Sequence, residues 1–198
     1  MVRLAIYGSA LGGGACQIIE ALNSLGHLTP VLILDRDISA IGKVVFGVPV
    51  VGSTEELNDR WSKGEFDEAI VAIGGELIER RKAYDLIKFL NIPVANVISP
   101  DVKFGLNVNL GQGNVILNNT YIGNNTSIGN NNYILNQCSI QHDTIIEDHN
   151  YLATNVTIGA KVRIGSLNRI GIKCIVETKS IIKNGCFYKS GEIVSFNN

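Results

Sequence analysis

The sequence has no block of like charge and no long apolar run. Its 17 lysines and arginines are balanced by 18 acidic residues, and they form no basic cluster of the kind that binds nucleic acid. The longest apolar runs, such as "PVLIL" at 30–34, are far shorter than the ~20 residues of a membrane-spanning helix. The composition therefore predicts a protein that neither binds nucleic acid nor inserts into a membrane.

The cysteines are few and unpaired in sequence. Cys16, Cys138, Cys174 and Cys186 form no C-x-x-C pair and match no zinc-ligand spacing. A chain of 198 residues that is 45% hydrophobic has enough apolar material to fold without a disulfide framework. We expect neither a metal nor a disulfide.

The N-terminus lacks the pattern of a targeting segment. "MVRLAIYGSA" runs straight into glycines, without the apolar core and the small-residue cleavage site of a signal peptide. A cytoplasmic protein is therefore expected.

The first half of the chain alternates between extended and helical patterns. Five stretches have the apolar content of strands: "RLAIYG", "PVLILD", "VFGVPVVG", "EAIVAIGG" and "PVANVI". Three stretches between them have helical spacing or a helix start: "ACQIIEALNSLG", "STEELNDRW" with Ser53 or Thr54 as N-cap, and "ELIERRKAYDLIKFLN". This alternation favours a parallel sheet with flanking helices, so we predict an α/β, Rossmann-like domain over residues 1–99.

After Pro100 the helical patterns disappear and apolar residues recur every six positions. Fourteen consecutive positions follow this spacing without an insertion: Phe104, Leu110, Ile116, Ile122, Ile128, Ile134, Ile140, Ile146, Leu152, Ile158, Ile164, Ile170, Val176 and Ile182. Glycine often follows the apolar residue, and a small residue often stands four positions after it. Three of the four cysteines occupy that small slot, which indicates compact core filling. A fixed short period of this kind predicts a solenoid whose coils bury one another.

A glycine-rich turn, "YGSALGGGA", follows the first predicted strand and opens a helix. Glycines there let backbone N–H groups approach a phosphate, so Gly8, Ser9, Gly12 and Gly13 are candidate substrate-binding residues. Asp35 ends the second strand, about where an acid would meet a ribose hydroxyl.

Gly74, in the "IGG" that ends a later strand, completes the candidate substrate-binding set. The alternative is a plain tight turn, because such turns are glycine-rich in α/β domains anyway. About 98 residues supply little more than one mononucleotide-binding half, which favours a mononucleotide-linked ligand over a dinucleotide.

Taken in order, the strand and helix stretches of the first half and the six-residue repeats that follow Pro100 resemble bacterial nucleotide-sugar and sialic-acid acetyltransferases of the PglD/NeuD type. The resemblance implies a left-handed parallel β-helix over residues 100–198, with three hexads to a coil. It also implies a homotrimer with active sites between neighbouring subunits. In such proteins the α/β domain binds the nucleotide sugar and the β-helix binds acetyl-CoA, which is the expected cosubstrate here.

A histidine and an aspartate stand together in "IQHD" at 140–143. The stretch resembles the "I-x-H-[DE]" motif of that family, whose histidine is the general base. An imidazole suits the task because it exchanges a proton near neutral pH. The candidate catalytic residues are therefore His142, as base, and Asp143, as the acid that orients the ring. The alternative for His142 is a solvated polar position on a β-helix face, and the alternative for Asp143 is an exposed turn residue.

The expected acetyl-CoA contacts depart from the family pattern. In the family a second histidine follows the base by about nine residues. Tyr151 stands at that position here, and its hydroxyl could donate to the thioester carbonyl. His149 is expected to be a surface residue. Gly159 and Gly171 are the other candidate cofactor-binding residues. The end of the chain, "SIIKNGCFYKSGEIVSFNN", lacks the "GVPAK"-like tail that borders CoA, and four lysines could offer phosphate contacts: Lys173, Lys179, Lys183 and Lys189.

Three functions are compatible with these patterns. The leading hypothesis is acetyl-CoA-dependent N-acetylation of a UDP- or dTDP-linked 4-amino-4,6-dideoxy sugar in bacterial surface-glycan biosynthesis. The second is O-acetylation of a sialic- or legionaminic-type sugar. The third is a non-catalytic β-helix protein that binds a nucleotide sugar.

Overall fold

The computed structural model describes residues 1–8, 11–23 and 26–195. The chain divides into two compact units, Met1–Val97 and Ile98–Asn198. The division of labour predicted between residues 1–99 and 100–198 stays a prediction.

The first unit is built on a five-stranded sheet in the order β3-β4-β2-β1-β5. Its strands are β1 (Val2–Tyr7), β2 (Leu28–Leu34), β3 (Val44–Val45), β4 (Val48–Gly52) and β5 (Glu68–Val71). All neighbours are parallel except the β3–β4 pair, which is antiparallel. The inner strand β1 and the edge strand β5 each bury three residues, and all six of these residues are apolar.

Three α-helices accompany this sheet: α1 (Gly14–Leu22), α2 (Leu57–Ser62) and α3 (Leu77–Phe89). Two short 3-10 helices, Ile38–Ala40 and Thr54–Glu56, lie in the connections. Ser53 begins the second of these in a capping box with Glu56, in which the Ser53 N–H donates to Glu56 Oε1 at 2.9 Å. Reciprocal bonds of this kind satisfy N–H groups that a helix start leaves without partners.

The strand predicted from "PVANVI" is wrong as a continuous element of this sheet. Val94 forms a single parallel bridge with Ala69, and Val97–Ile98 instead joins a sheet of the second unit. Pro93 has no N–H to donate to a ladder, and its carbonyl accepts from Ala69 at 2.9 Å. The pairing is therefore limited to one bridge.

The second unit is the predicted left-handed parallel β-helix of hexapeptide repeats. Its strands are two residues long: β6 (Val97–Ile98), β7 (Lys103–Phe104), β8 (Asn109–Leu110), β9 (Val115–Ile116), β10 (Tyr121–Ile122), β11 (Ser127–Ile128), β12 (Tyr133–Ile134), β13 (Ser139–Ile140), β14 (Ile145–Ile146), β15 (Tyr151–Leu152), β16 (Thr157–Ile158), β17 (Arg163–Ile164), β18 (Arg169–Ile170), β19 (Ile175–Val176), β20 (Ile181–Ile182), β21 (Phe187–Tyr188) and β22 (Ile193–Val194).

Every third strand belongs to the same sheet, so three sheets form the faces of a prism. Sheet I contains β7, β10, β13, β16, β19 and β22; sheet II contains β8, β11, β14, β17 and β20; sheet III contains β6, β9, β12, β15, β18 and β21. Ile122 pairs with Ile140 in sheet I, and Ile128 pairs with Ile146 in sheet II. One coil therefore takes 18 residues, or three hexads.

The segments between sheets turn sharply at residues of positive φ. Asn125, Asp143 and Lys161 occupy this position at the corner between sheets I and II, with φ of 56°, 58° and 60°. Asn and Asp tolerate the left-handed conformation better than most residues because their short side chains bond locally. We call the segments that join sheet I to sheet II the first corner.

The interior contains the apolar row predicted from the sequence and, at one corner, a column of asparagines. Ile122, Ile140 and Ile158 are fully buried. Asn114, Asn132, Asn150 and Asn168 are also buried, one above another, and the N–H of each of the last three donates at 2.9 Å to the side-chain oxygen of the asparagine one coil earlier. These bonds satisfy backbone donors at a buried corner, where an unpaired N–H is costly.

Candidate functional site

His142 and Asp143 lie side by side on the first corner, between β13 and β14. His142 Nδ1 is 2.8 Å from Asp143 Oδ2, and 53% of the histidine side chain is exposed. Since Asp143 turns the chain in the left-handed conformation, its carboxylate folds back beside the preceding ring. The predicted pair is therefore in direct contact and accessible to a substrate.

The carboxylate of Asp143 accepts two hydrogen bonds. One comes from His142, and the other comes from Asn125 Nδ2 to Oδ1 at 3.1 Å. The bond with His142, followed by the bond with Asn125 and the nearby charge of Lys161, lowers the pKa of Asp143. An ionised carboxylate only accepts hydrogen bonds, so Nδ1 carries the proton in the neutral ring. The lone pair then resides on Nε2.

The backbone of His142 is held closely between neighbouring coils. Its carbonyl accepts from the Lys161 N–H at 3.0 Å. On the opposite side, a Cβ at Gly123 would lie 2.6 Å from the His142 nitrogen, so only glycine fits there without moving the corner. This packing fixes the position of the His142 backbone from which the imidazole side chain extends.

A groove of about 430 Å³ lies on sheet II. Ile145, three residues after His142 in the chain, is one of its lining residues. Glu147, Asp148 and Ser166 also contribute to its lining. The Ser166 hydroxyl donates to Glu147 Oε2 at 3.1 Å. The groove therefore combines an apolar wall with two carboxylates.

The three residues predicted to bind the cofactor are not gathered around His142. Tyr151 lies in β15 of sheet III, the face opposite the first corner, and the Arg169 guanidinium carbon is 5.6 Å from its ring centroid. Gly159 lies on the first corner, one coil after His142, and Gly171 lies just after β18. Their contact with acetyl-CoA stays a prediction.

Both glycines have a packing reason for lacking a side chain. A Cβ at Gly159 would lie 2.5 Å from the Thr178 nitrogen, and one at Gly171 would lie 2.6 Å from the Ser190 nitrogen. Such distances leave no room for a side chain between stacked coils. These contacts explain the glycines without a ligand.

The residues predicted to bind substrate lie near the carboxyl ends of the strands in the first unit. Gly8 follows β1 with φ +84°, and its N–H donates to the Leu34 carbonyl at 2.7 Å. Gly13 is the N-cap of α1 with φ +87°; Gly12, beside it, is exposed. Ser9 lies outside the described residues. The turn thus leads into a helix N-terminus, as an anion site requires.

Asp35 and Gly74 follow other strands of the same sheet. Asp35 is buried at the end of β2, and its Oδ1 accepts from the Asp37 N–H at 2.9 Å. Gly74 comes three residues after β5, and its carbonyl accepts from the buried guanidinium of Arg80. Part of each residue's bonding capacity is therefore used within the fold.

The described part of the chain contains neither a metal-binding cluster nor a membrane-spanning helix. No three His, Cys, Asp or Glu side chains come together as a metal site among residues 1–8, 11–23 and 26–195. None of the helices found in those ranges has the length and apolar character needed to span a membrane.

Asn125 was not predicted from the sequence as a partner of Asp143. The signal was an 18-residue spacing, the length of one coil, which places the two residues at the same corner of successive coils. The buried asparagine column has the same spacing and was missed for the same reason.

Comparisons with known proteins agree with this architecture. Residues 125–160 match a family model described as "Bacterial transferase hexapeptide (six repeats)". No curated protein matches the chain.

Solved structures match nearly the whole chain. One is perosamine N-acetyltransferase from Caulobacter crescentus, as a variant with a histidine replaced by asparagine, in complex with CoA and GDP-perosamine. It is 23% identical to this chain, the match covers 96% of this chain and 87% of that chain, and the TM-score is 0.88. Another is the acetyltransferase domain of PglB from Neisseria gonorrhoeae in complex with acetyl coenzyme A, at 24% identity, 98% and 96% coverage and a TM-score of 0.64.

A third solved structure is WeeI from Acinetobacter baumannii, at 17% identity, 97% and 94% coverage and a TM-score of 0.64. At these identities the likeness establishes the fold. The resemblance drawn from the sequence is confirmed by the hexapeptide transferase match and by the sugar acetyltransferases among the neighbours.

Proposed function

We propose that the protein is an acetyl-CoA-dependent N-acetyltransferase whose acceptor is a nucleotide-linked amino sugar. The observation that carries the proposal is the His142–Asp143 contact at 2.8 Å on a corner of the hexapeptide β-helix. The neighbour that binds CoA and GDP-perosamine supports the substrate class, since its fold matches 96% of this chain.

His142 is the general base in this proposal. Acetyl-CoA supplies an acetyl group activated as a thioester. His142 Nε2 takes a proton from the sugar amine as the nitrogen attacks the thioester carbonyl, the new C–N bond replaces the C–S bond, and the proton passes to the departing thiolate. Asp143 orients the ring and stabilises its charged form, the role of the acid in hydrolytic triads.

The first unit is proposed to bind the nucleotide. Its order β4-β2-β1 is that of one half of a Rossmann-like sheet, and β5 takes the place of the first strand of the second half. In such sheets ligands bind outside the carboxyl ends of the strands. Ser9, Gly12 and Gly13 are proposed to approach the phosphates through their N–H groups. Gly8, whose N–H donates to the Leu34 carbonyl, is proposed to let the backbone of the turn pass close to the phosphates. Asp35 is proposed to bind the ribose.

The finer assignments are also proposals. The acceptor is a UDP- or dTDP-linked 4-amino-4,6-dideoxy sugar used in surface-glycan biosynthesis, acetylated in the cytoplasm. A homotrimer is proposed, as the resemblance implies. Exposed apolar side chains on the outer faces of the prism, such as Ile175 on sheet I, Ile181 on sheet II and Phe187 on sheet III, are available for the contact between subunits. Light scattering that returns the mass of a monomer would contradict this assembly.

Thermal shift with separate ligands tests the proposed function. A ligand at one hundred times its Kd stabilises the folded state by about 2.7 kcal/mol. Acetyl-CoA and one UDP- or dTDP-amino sugar should each raise the Tm, and together they should give N-acetylated product. A shift with CMP-sialic acid would favour O-acetylation instead, and a nucleotide-sugar shift without an acetyl-CoA shift would favour a non-catalytic binder.

Replacing Gly13 with alanine tests the phosphate site. The added Cβ would face the path of a phosphate toward the α1 N-terminus, so the KM for the nucleotide sugar should rise about tenfold, as expected for one lost hydrogen bond to a charged group. The KM for acetyl-CoA should stay unchanged. Gly42→Ala is the matched control, because Gly42 has φ +84° and, like Gly13, no atom within 4 Å of its Cβ position. An equal rise in both KM values, or in both variants, would contradict the site.

A further inference from the structure

A chain of side-chain hydrogen bonds runs along the first corner and ends at His142. Asn107 Nδ2 donates to Asn125 Oδ1 at 3.2 Å, and Asn125 Nδ2 donates to Asp143 Oδ1 at 3.1 Å. The other carboxylate oxygen, Oδ2, is the one bonded to His142 Nδ1. The chain thus connects three successive coils to the ring of the histidine.

Each bond in this chain sets the direction of the next. The oxygen of the Asn125 amide is engaged by Asn107, so its NH₂ group faces Asp143. The NH₂ group holds one carboxylate oxygen, and a rotation of the carboxylate would break that bond and the bond to the ring together. Two anchors therefore fix the Asp143 side chain, although it is 39% exposed.

We propose that Asn125 is a positioning residue that holds Asp143, and through it holds the His142 ring with Nδ1 protonated and Nε2 directed to the acceptor amine. This inference rests on the proposed function for its effect on turnover. Its effect on the ring is independent of any substrate. Outer hydrogen-bond partners of a functional histidine set its tautomer and orientation in the same way at metal sites.

Lys161 is the charged group that faces Asp143 from the following coil, and it lowers the pKa of that carboxyl. The charge of Lys161 stabilises the ionised form of the carboxylate but does not fix the orientation of its plane. The Asn125 amide gives a directional hydrogen bond that does. The test therefore leaves Lys161 unchanged.

The molecule provides a matched control at another corner. Asn155 Nδ2 donates to Gln137 Oε1 at 3.0 Å, also across one coil. Asn125 and Asn155 are both exposed and both have positive φ, 56° and 63°. The Asn155–Gln137 bond is not in contact with His142. Its loss therefore measures what a side-chain hydrogen bond between successive coils contributes to the β-helix, without an effect on His142.

The experiment compares Asn125→Gly with Asn155→Gly. Glycine is chosen because it adopts positive φ without strain, as Gly113 and Gly185 do at φ +72° in this β-helix. For each variant, kcat and both KM values are measured, and the imidazole nitrogens are followed by NMR. The signal of His142 is identified among the three histidines by its loss in His142→Ala.

Asn125→Gly should lower kcat about tenfold, leave both KM values unchanged, and reduce the fraction of the Nδ1–H tautomer. Asn155→Gly should change none of these. Asn125→Asp keeps the size of the side chain but removes the donor and adds a second carboxylate beside Asp143, so it should lower kcat at least as much. Wild-type kcat and an unchanged tautomer in Asn125→Gly would overturn the inference.

Failure of the proposed function gives a different result. If the wild-type protein transfers no acetyl group, the NMR comparison still tests whether Asn125 positions the His142 ring. A tautomer shift in Asn125→Gly and none in Asn155→Gly would support the positioning role. Identical His142 spectra in the wild type and both glycine variants would overturn it.

Discussion

Replacing His142 with alanine is expected to lower turnover by about 10²–10⁴ at neutral pH, the usual contribution of a general base. The ring is half exposed on the first corner, and its loss leaves no buried group without a partner. The fold and the affinity for acetyl-CoA should therefore be unchanged. Steady-state kinetics, with thermal unfolding as the check on folding, measure the effect.

The pH dependence gives a second test of His142. The limb of the wild-type pH–rate profile that reports the general base should be absent from His142→Ala. The bond with His142 keeps the pKa of Asp143 below that of an ordinary carboxyl group. Asp143 therefore stays ionised above the range in which ordinary carboxyl groups titrate, and a limb above that range cannot be assigned to it.

Two neighbouring variants complete the comparison. Asp143→Asn should lower turnover less than His142→Ala, because it acts through the ring. His149→Asn should have little effect: His149 lies at the next corner, where its Nδ1 contacts Asn131 Nδ2 at 2.9 Å, and asparagine suits its positive φ of 63°. Near-normal turnover in His142→Ala, or a large loss in His149→Asn, would overturn the assignment of the base.

The solenoid was predictable because its six-residue period is visible in the sequence, and the resemblance to hexapeptide acetyltransferases identified it as a β-helix. Each apolar residue at spacing six had to face inward, and Ile122, Ile140 and Ile158 do so. The adjacency of His142 and Asp143 was predictable for the same reason, since sequence neighbours at a corner remain neighbours in space. Their roles stay proposals.

Interactions between coils were harder to predict than those within a coil. The Asn125–Asp143 bond requires the 18-residue coil length together with left-handed backbone at both positions. Tyr151 was selected by its spacing from the base, but in a three-sided prism nine residues lead to a different face, sheet III. The strand predicted from "PVANVI" failed because pairing depends on backbone donors, and Pro93 has none to offer.

Replacing Ile146 with alanine is expected to lower the free energy of unfolding by about 2–5 kcal/mol, the range for truncating a buried isoleucine. Ile146 is 1% exposed and packs in the apolar row of the β-helix, where stacked coils cannot close around the cavity. Ile145 is the matched control: it precedes Ile146 in β14 but faces outward and is 37% exposed, so Ile145→Ala should cost about 1 kcal/mol or less. Urea unfolding of both variants measures the difference. Equal losses would mean that the inward and outward positions of the hexads do not differ in burial as described, and that the apolar row is not what stabilises the coils.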